Sequence, residues 1–431
     1  MTERTIAVDY LARVEGEGAL RARLDGDRVE EVELRIFEPP RFFEALLRGR
    51  SFEEAPDLTA RICGICPVAY QMSASHAMES ALGMHVTGTL RELRRLLYCG
   101  EWIESHSLHI YLLHAPDFLG FPDAVRMAKE FPEVVARGLS LKRAGNHLME
   151  VLGGREIHPV NVRVGGFYRA PEREELEALR PELEKALGLA AETVRFASGL
   201  EFPDVEEDYE FVSLVHPDEY PMNEGLIRSS RGLEIPAARY EEEFEELQVP
   251  HSNALHSVRR GGGSYLVGPM ARYALNRTRL LPKTRALAND VGLEPVVTNP
   301  ARSIIVRSLE VHYACEEALR ILSTYRRPEA AFVPPPATFE GGSGAAATEA
   351  PRGLLYHRYE LSRERLIERA RIVAPTSQNQ KRIEDDLRHL LERQIRADDA
   401  TLTDACERAI RHHDPCISCA THFLTLEVDR R

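Results

Sequence analysis

The chain reads as a helix-rich α+β protein: a core bundle of long helices with small β-sheets near the N-terminus and around residue 360. Three observations predict this. Long amphipathic stretches dominate residues 89–198 and return at 301–325. Val32, Leu34 and Ile36 alternate with Glu31, Glu33 and Arg35, the period of a strand with one wet face. LLYHRYEL and LIERARIVAP, near residue 360, read as a hairpin.

The elements follow in order. Asp25-Gly26-Asp27 is a hairpin turn ahead of the first strand pattern, Pro39-Pro40 ends that strand, and residues 41–47 form a short helix. Residues 68–82 are helical, with Pro67 in the first turn and Gly83 as the stop. A long helix over 89–114 is stopped by Pro116, and further long helices cover 133–152, 172–198 and 301–325. Residues 203–270 are mixed, with short strand-like runs. Pro334-Pro335-Pro336 and Gly341-Gly342-Ser343-Gly344 mark a loop or linker. Two last helices cover 379–394 and 400–412. There is no internal repeat, and residues 1–431 are expected to form one large domain.

Composition narrows the function. The net charge of −13 disfavours electrostatic binding of nucleic acid. No window reaches the apolar length of a membrane helix, so no direct membrane insertion is expected. The first residues lack the basic and apolar regions of a secretory signal. Seven cysteines, an odd number, argue for reduced thiols and a cytoplasmic location rather than a disulfide framework.

The chemistry is concentrated in two Cys-x-x-Cys pairs, Cys63/Cys66 and Cys416/Cys419. A tight turn aims both sulfurs of such a pair at one point, and two pairs brought together make a soft-metal site. Pro67 opens a helix, whose positive end would favour thiolates near Cys66. Spacing alone leaves a structural zinc site or a rubredoxin-like iron site open. Cys99, Cys315 and Cys406 fall at helical positions and read as core.

The flanks say more. RICGICPVAYQMSASHAMES around the first pair and DPCISCATHF around the second resemble the two cysteine signatures of the nickel-iron hydrogenase large subunit. Arg13-Val14-Glu15-Gly16, Arg163-Val164-Gly165-Gly166 after His158-Pro159, and Glu349-Ala350-Pro351-Arg352-Gly353 resemble further elements of that family in its order. The resemblance spans nearly the whole chain. The related respiratory complex I subunit has lost the metal cysteines, and this chain retains four.

The resemblance implies the large-subunit fold and reversible heterolytic cleavage of H2. It implies Cys63 and Cys416 as terminal thiolates on nickel, with Cys66 and Cys419 bridging nickel and an iron that carries carbon monoxide and cyanide ligands. Glu15 matches the proton-relay glutamate and Arg352 the arginine above the metals. Asp117 and Asp414 match carboxylates that hold that arginine, and Thr376 a hydrogen-bond donor to cyanide. Glu44, the backbone carbonyl of Ile372 and His422 match ligands of a separate magnesium or iron ion. A maturation endopeptidase would cut after His422, releasing residues 423–431. Many family members carry histidine where this chain has Tyr70, which leaves a hydrogen bond to the bridging sulfur open.

No further cysteine cluster offers an electron relay, so the resemblance implies an iron–sulfur small subunit as partner. The flanks CPVAYQMSA and APTSQNQ look most like the cytosolic branch coupled to a diaphorase module that uses NAD(P). An H2-sensing protein of the same fold, or a non-catalytic protein with a four-thiolate zinc site, are the alternatives.

Overall fold

The computed structural model describes residues 3–421. Its principal core is a bundle of long helices: Pro67–Leu82, Gly88–Leu108, Pro132–Gly153, Arg180–Ser198 and Ser303–Thr324. Leu93, Leu96, Leu97, Leu141, Leu148, Ile304 and Leu309 are among the apolar side chains packed there. None of the described helices is long and apolar enough to cross a membrane.

The expected N-terminal hairpin forms. Strands Gly18–Asp25 and Arg28–Ile36 pair antiparallel across a turn in which Gly26 has φ 58°, and Glu3–Val8 pairs with Gly18–Asp25 on its other side. Val32, Leu34 and Ile36 are buried as their alternation predicts. Leu20 and Leu34 pack with Ile383 and Leu387 of helix Pro375–Gln394 and Ile410 of helix Asp399–His412, so the N-terminal sheet is covered by the C-terminal helices.

The hairpin near residue 360 is also present, as strands Gly353–Leu361 and Ile367–Val373. A third strand joins it. Gly342–Ala350, whose first residues Gly342-Ser343-Gly344 were expected in a loop or linker, pairs with Gly353–Leu361 along its whole length. The glycines that suggested a linker serve close approach instead: a Cβ on Gly344 would lie 2.2 Å from the backbone nitrogen of Ala81. The middle of the chain adds small sheets, including Val212–Val215 with Leu226–Ser229 and Glu234–Ile235, and Phe244–Leu247 with His256–Arg259.

Two helices differ from expectation. The run over 89–114 is α-helical to Leu108, winds as a π-helix over His109–His114, and continues past Pro116 as Ala115–Leu119 to a stop at Gly120. The π turn opens a new helical start, where proline is tolerated. The run over 172–198 divides into Arg173–Glu177 and Arg180–Ser198, because Pro181 falls at the start of the second.

Candidate metal centre

The two cysteine pairs, some 350 residues apart in sequence, meet in one cluster. Cys63 Sγ lies 3.5 Å from Cys416 Sγ, Cys66 Sγ 3.4 Å from Cys419 Sγ, and Cys416 Sγ 2.8 Å from Cys419 Sγ. All four are buried, and their sulfurs lie within 4.8 Å of one another. No disulfide forms. Four acidic thiols packed together cannot all ionise without a cation. Hydrogen bonds from Cys416 and Cys419 hold the Cys63 thiol well below its usual value, while burial and the Cys419 thiol push Cys416 well above it. A soft divalent metal would take the place of the shared protons. Cys99, Cys315 and Cys406 are buried elsewhere in the core, as expected.

Local structure explains the aim of each pair. The amides of Ile65 and Cys66 point at Cys63 Sγ, at 3.3 and 3.4 Å. The dipole expected to serve Cys66 is met by a different acid. Glu101, one helix away, accepts from the first free amides of helix Pro67–Leu82, Val68 at 2.6 Å and Ala69 at 3.1 Å. Nothing in the sequence links Glu101 to residue 68; only the packing of the two helices does. Arg41 donates to the carbonyls of Ile62 (2.7 Å) and Ser418, joining the two cysteine loops through one guanidinium.

Glu15 touches the cluster directly. Cys416 Sγ donates to Glu15 Oε2 at 3.1 Å, and Ser418 N–H donates to the same oxygen at 3.0 Å. The Glu15 carbonyl accepts from Ile417 N–H at 2.9 Å. Gly16 makes this docking possible: φ is 89°, and a Cβ would lie 2.6 Å from Ile417 Cβ. Glu38, which sequence reasoning passed over, accepts from Ser418 Oγ at 3.1 Å.

Arg352 occupies the two-residue turn between Gly342–Ala350 and Gly353–Leu361. That turn packs tightly on Gly268, where a Cβ would lie 2.7 Å from the Arg352 carbonyl oxygen. The side chain reaches the loop before Cys416: Nε donates to the Asp414 carbonyl (2.9 Å) and Nη2 to Asp414 Oδ1 (3.0 Å). Asp414 holds a left-handed φ of 54°, which turns both acceptors toward the guanidinium. Burial disfavours this cation, but Asp414 and the Cys416 thiol hold its proton firmly. Ser105, another partner the sequence did not single out, lies 3.4 Å from Nη1.

Asp117 is placed differently from expectation. Its carboxylate pairs with Arg13 and with Arg411 (2.8 and 2.9 Å), not with Arg352. Burial opposes its charge, yet those arginines hold its carboxyl below the usual value. The reason is geometric: Asp117 follows the π turn on helix Ala115–Leu119, a stretch that packs under the Arg13 turn and helix Asp399–His412.

Thr376 Oγ1 accepts from the Cys416 amide at 2.9 Å. The Tyr70 hydroxyl donates to the Cys419 carbonyl at 3.4 Å, so the tyrosine reaches the loop of the second pair. Glu44 and Ile372 are brought together, Ile372 N–H donating to Glu44 Oε1 at 2.7 Å. Burial, then the nearby Glu246 carboxyl, push Glu44 up to about 8. His422 and residues 423–431 lie outside the described residues.

Comparison with known proteins agrees with this geometry. Residues 41–140 and 256–422 match the family model described as nickel-dependent hydrogenase. The alpha subunit of sulfhydrogenase 1 from Pyrococcus furiosus is 35% identical over 426 residues, covering 98% of each chain. The beta subunit of the NAD-reducing hydrogenase HoxS from Cupriavidus necator is 26% identical over 476 residues, covering 98% of this chain and 95% of its own. Among solved structures, that of an NAD+-reducing NiFe hydrogenase in the H2-reduced state superposes with a TM-score of 0.86 at 25% identity, over 97% of this chain and 99% of that one.

Proposed function

The chain belongs to the nickel-dependent hydrogenase family as a large subunit, an oxidoreductase acting on H2, and from that premise we propose roles for its residues and the route of its electrons. The observation that carries the reading is the contact of Glu15 with Cys416 inside the four-thiol cluster, at 3.1 Å. It places a carboxylate against one sulfur of a soft-metal site, on a loop that is only half-buried.

The donor set fits nickel and iron: four buried thiols, two from each end of the chain, with sulfurs within 4.8 Å. Cys63, Cys66, Cys416 and Cys419 would together hold nickel and an iron that carries carbon monoxide and cyanide. When bound, that centre supplies the Lewis acidity and electron storage with which H2 is split into two protons and two electrons.

The chain's own groups handle protons and orientation. Glu15 Oε2 takes the proton offered by the Cys416 thiol and passes it toward the half-exposed N-terminal loop. Arg352, fixed by Asp414 and by Ser105, holds a positive charge beside the sulfurs, where it would bind cyanide and polarise H2. Thr376 accepts from the Cys416 amide and keeps its own hydroxyl proton for a cyanide. Asp117 acts one step further out, fixing Arg13 beside Glu15 and Arg411 ahead of Asp414. Glu44 and Ile372 would hold the magnesium or further iron ion with His422. A cation there would compensate a carboxyl that burial pushes up to about 8.

Electrons must leave through another chain, because the other three cysteines are too few to hold a relay of iron–sulfur clusters, with Cys99 and Cys315 in one core and Cys406 in another. We assign that task to an iron–sulfur small subunit and, beyond it, to diaphorase subunits using NAD(P) in the cytoplasm. The likeness to an NAD-reducing hydrogenase supports this acceptor. A maturation endopeptidase would cut after His422, and the mass of the active chain tests that.

The deciding experiment is infrared spectroscopy with metal analysis on the purified complex. Carbon monoxide and cyanide bands with nickel and iron, H2-dependent viologen reduction and co-purifying NAD(P) reductase subunits are expected. Zinc alone would establish the structural-site reading. A regulatory partner in place of a reductase would establish the sensor reading.

A further inference from the structure

We propose that His251, His256 and Glu384 form a second metal site that binds a divalent cation of the zinc type, built from residues that take no part in the cysteine cluster. The three residues come from separate segments. His251 lies in the loop after strand Phe244–Leu247, His256 begins strand His256–Arg259, and Glu384 is on helix Pro375–Gln394. One ligand atom from each falls within 4.8 Å of the other two. His251 Nε2 is 2.8 Å from Glu384 Oε1, and His256 Nδ1 is 3.9 Å from Glu384 Oε2. Tetrahedral zinc with bonds of ~2.0–2.2 Å needs ligand atoms spaced on the order of 3.3 Å, which these distances bracket. The imidazole planes stand at 75°, so their edges converge without stacking.

Each ligand is already oriented. The Leu34 amide donates to Glu384 Oε1 at 3.0 Å and fixes that carboxylate. His251 presents Nε2 to the site while its Nδ1 lies 4.0 Å from Glu33, within ionic reach but beyond hydrogen-bond distance. His256 is 2% exposed, and its Nε2 has no hydrogen-bond partner. His251 is partly exposed and leaves a side for water as fourth ligand.

A neighbouring cluster shows what a non-site looks like. Glu207, Asp386 and His389 are equally close, but Arg382 and Arg393 already occupy their oxygens. Glu384 has no such cation: among the described residues its ion pairs are with His251 and His256 alone. Two imidazoles and one carboxylate are a ligand set for zinc or a similar borderline ion, not for magnesium or calcium. Because the ligands come from distant segments, the ion would bind the folded chain only. It would tie helix Pro375–Gln394, whose first turn carries Thr376, to strand His256–Arg259 and the loop at 251.

The test uses the untagged complex with its nickel-iron centre loaded, so that the cysteines are not open to added metal. After chelator treatment, zinc uptake is titrated in the wild type and in His251→Ala and Glu384→Gln. Glutamine retains an acceptor for the Leu34 amide. The expected result is one zinc equivalent in the wild type, with affinity lowered at least ~10-fold in each variant. Cobalt in place of zinc should show tetrahedral bands without thiolate charge transfer. H2-dependent viologen reduction reports that the variants are folded. No zinc uptake by the wild type, uptake unchanged in both variants, or a cobalt–thiolate spectrum would each overturn the proposal.

Discussion

Two buried regions of this molecule adjoin at the turn that carries Arg352 and treat charge in opposite ways. Behind the turn that carries Arg352, Arg272 is fully buried between Glu310 (2.7 and 2.8 Å) and Glu349 (2.9 Å). It also donates to the carbonyls of Ala350 and Pro351 and lies 4.4 Å over the Trp102 ring. His106 and Tyr220 complete Glu310 at 3.0 and 2.7 Å. Nearby, Arg94 pairs with Glu79 and Arg95 with Glu317. Every charge in this region is answered by a side chain of this chain. In the cysteine cluster four acidic groups are pressed together, and the guanidinium beside them, Arg352, is already engaged by Asp414. The first region is complete as folded. The second is completed by a metal. The rigidity of the first is what holds the second in an arrangement its own residues would not choose.

If that contrast is right, substitutions in the two regions separate function from stability. The largest effect belongs to the sulfurs. Cys416→Ser and Cys66→Ser are expected to lose bound nickel and H2-dependent viologen reduction to below detection, while circular dichroism of the chain stays native. Nickel retained at wild-type level in either variant would break the contrast. Glu15→Gln comes next. Glutamine can still accept from the Ser418 amide but cannot take the thiol proton. Turnover should fall by ~10²–10⁴ with nickel content unchanged, as measured by single-turnover H2 oxidation and metal analysis.

Arg272→Ala acts on the other side. Removing the cation leaves Glu310 and Glu349 buried and facing each other, a loss of about 3–5 kcal/mol in folding stability. Denaturant unfolding of the metal-free chain should show it, whereas Cys416→Ser should barely move the same midpoint. Equal shifts in the two variants would erase the distinction between scaffold and site.

The two regions also differ in how far the sequence revealed them. The cysteines, Glu15, Arg352 and Asp414 stand inside short motifs whose residue order reflects their chemistry, and the structure brings them together. The N-terminal hairpin and the long helices were legible because burial imposes a period of two or of about 3.6 on neighbouring residues. The scaffold was not legible. Arg95 meets Glu317, and Arg272 meets Glu349, across gaps of 222 and 77 residues that no local pattern encodes. Asp117 was assigned to the wrong arginine for the same reason: a motif gives the neighbour in sequence, and helix packing decides the neighbour in space. Gly341 to Gly344 misled in a third way, since glycine marks both flexible chain and tight contact, and only the facing helix shows which applies.

The last effect is one of pH, and it also falls on the scaffold. Burial opposes the charge on Glu310, but Arg272 and His106 hold its carboxyl at about 2, against an ordinary 4.5. Glu317, gripped by Arg320 and Arg95, is likewise at about 2. A carboxylate whose folded value is depressed stabilises the fold fully above its unfolded value and loses that contribution as pH falls toward the folded one. Each fall from 4.5 to about 2 corresponds to on the order of 3 kcal/mol. Glu349 runs the other way: burial lifts it to about 7 despite Arg272, so it takes up a proton on folding and adds stability as pH drops from 7 toward 4.5. Buried His76 and His312, held at about 4, and His412, at about 3, resist protonation in the fold, so their contribution is lost as pH falls below the ordinary 6.5 and outweighs the gain from Glu349; the metal-free chain should therefore lose stability from about pH 6.5 and more steeply below 4.5. Trp102, the single tryptophan, lies against Arg272 and donates to the Glu349 carbonyl at 3.1 Å, so its fluorescence reads this region directly. Denaturant midpoints followed through Trp102 between pH 3 and 8 should trace that profile in the wild type and in Cys416→Ser alike. A profile that differed between the two would mean that the thiols, not the carboxylates, set the acid limit of the fold.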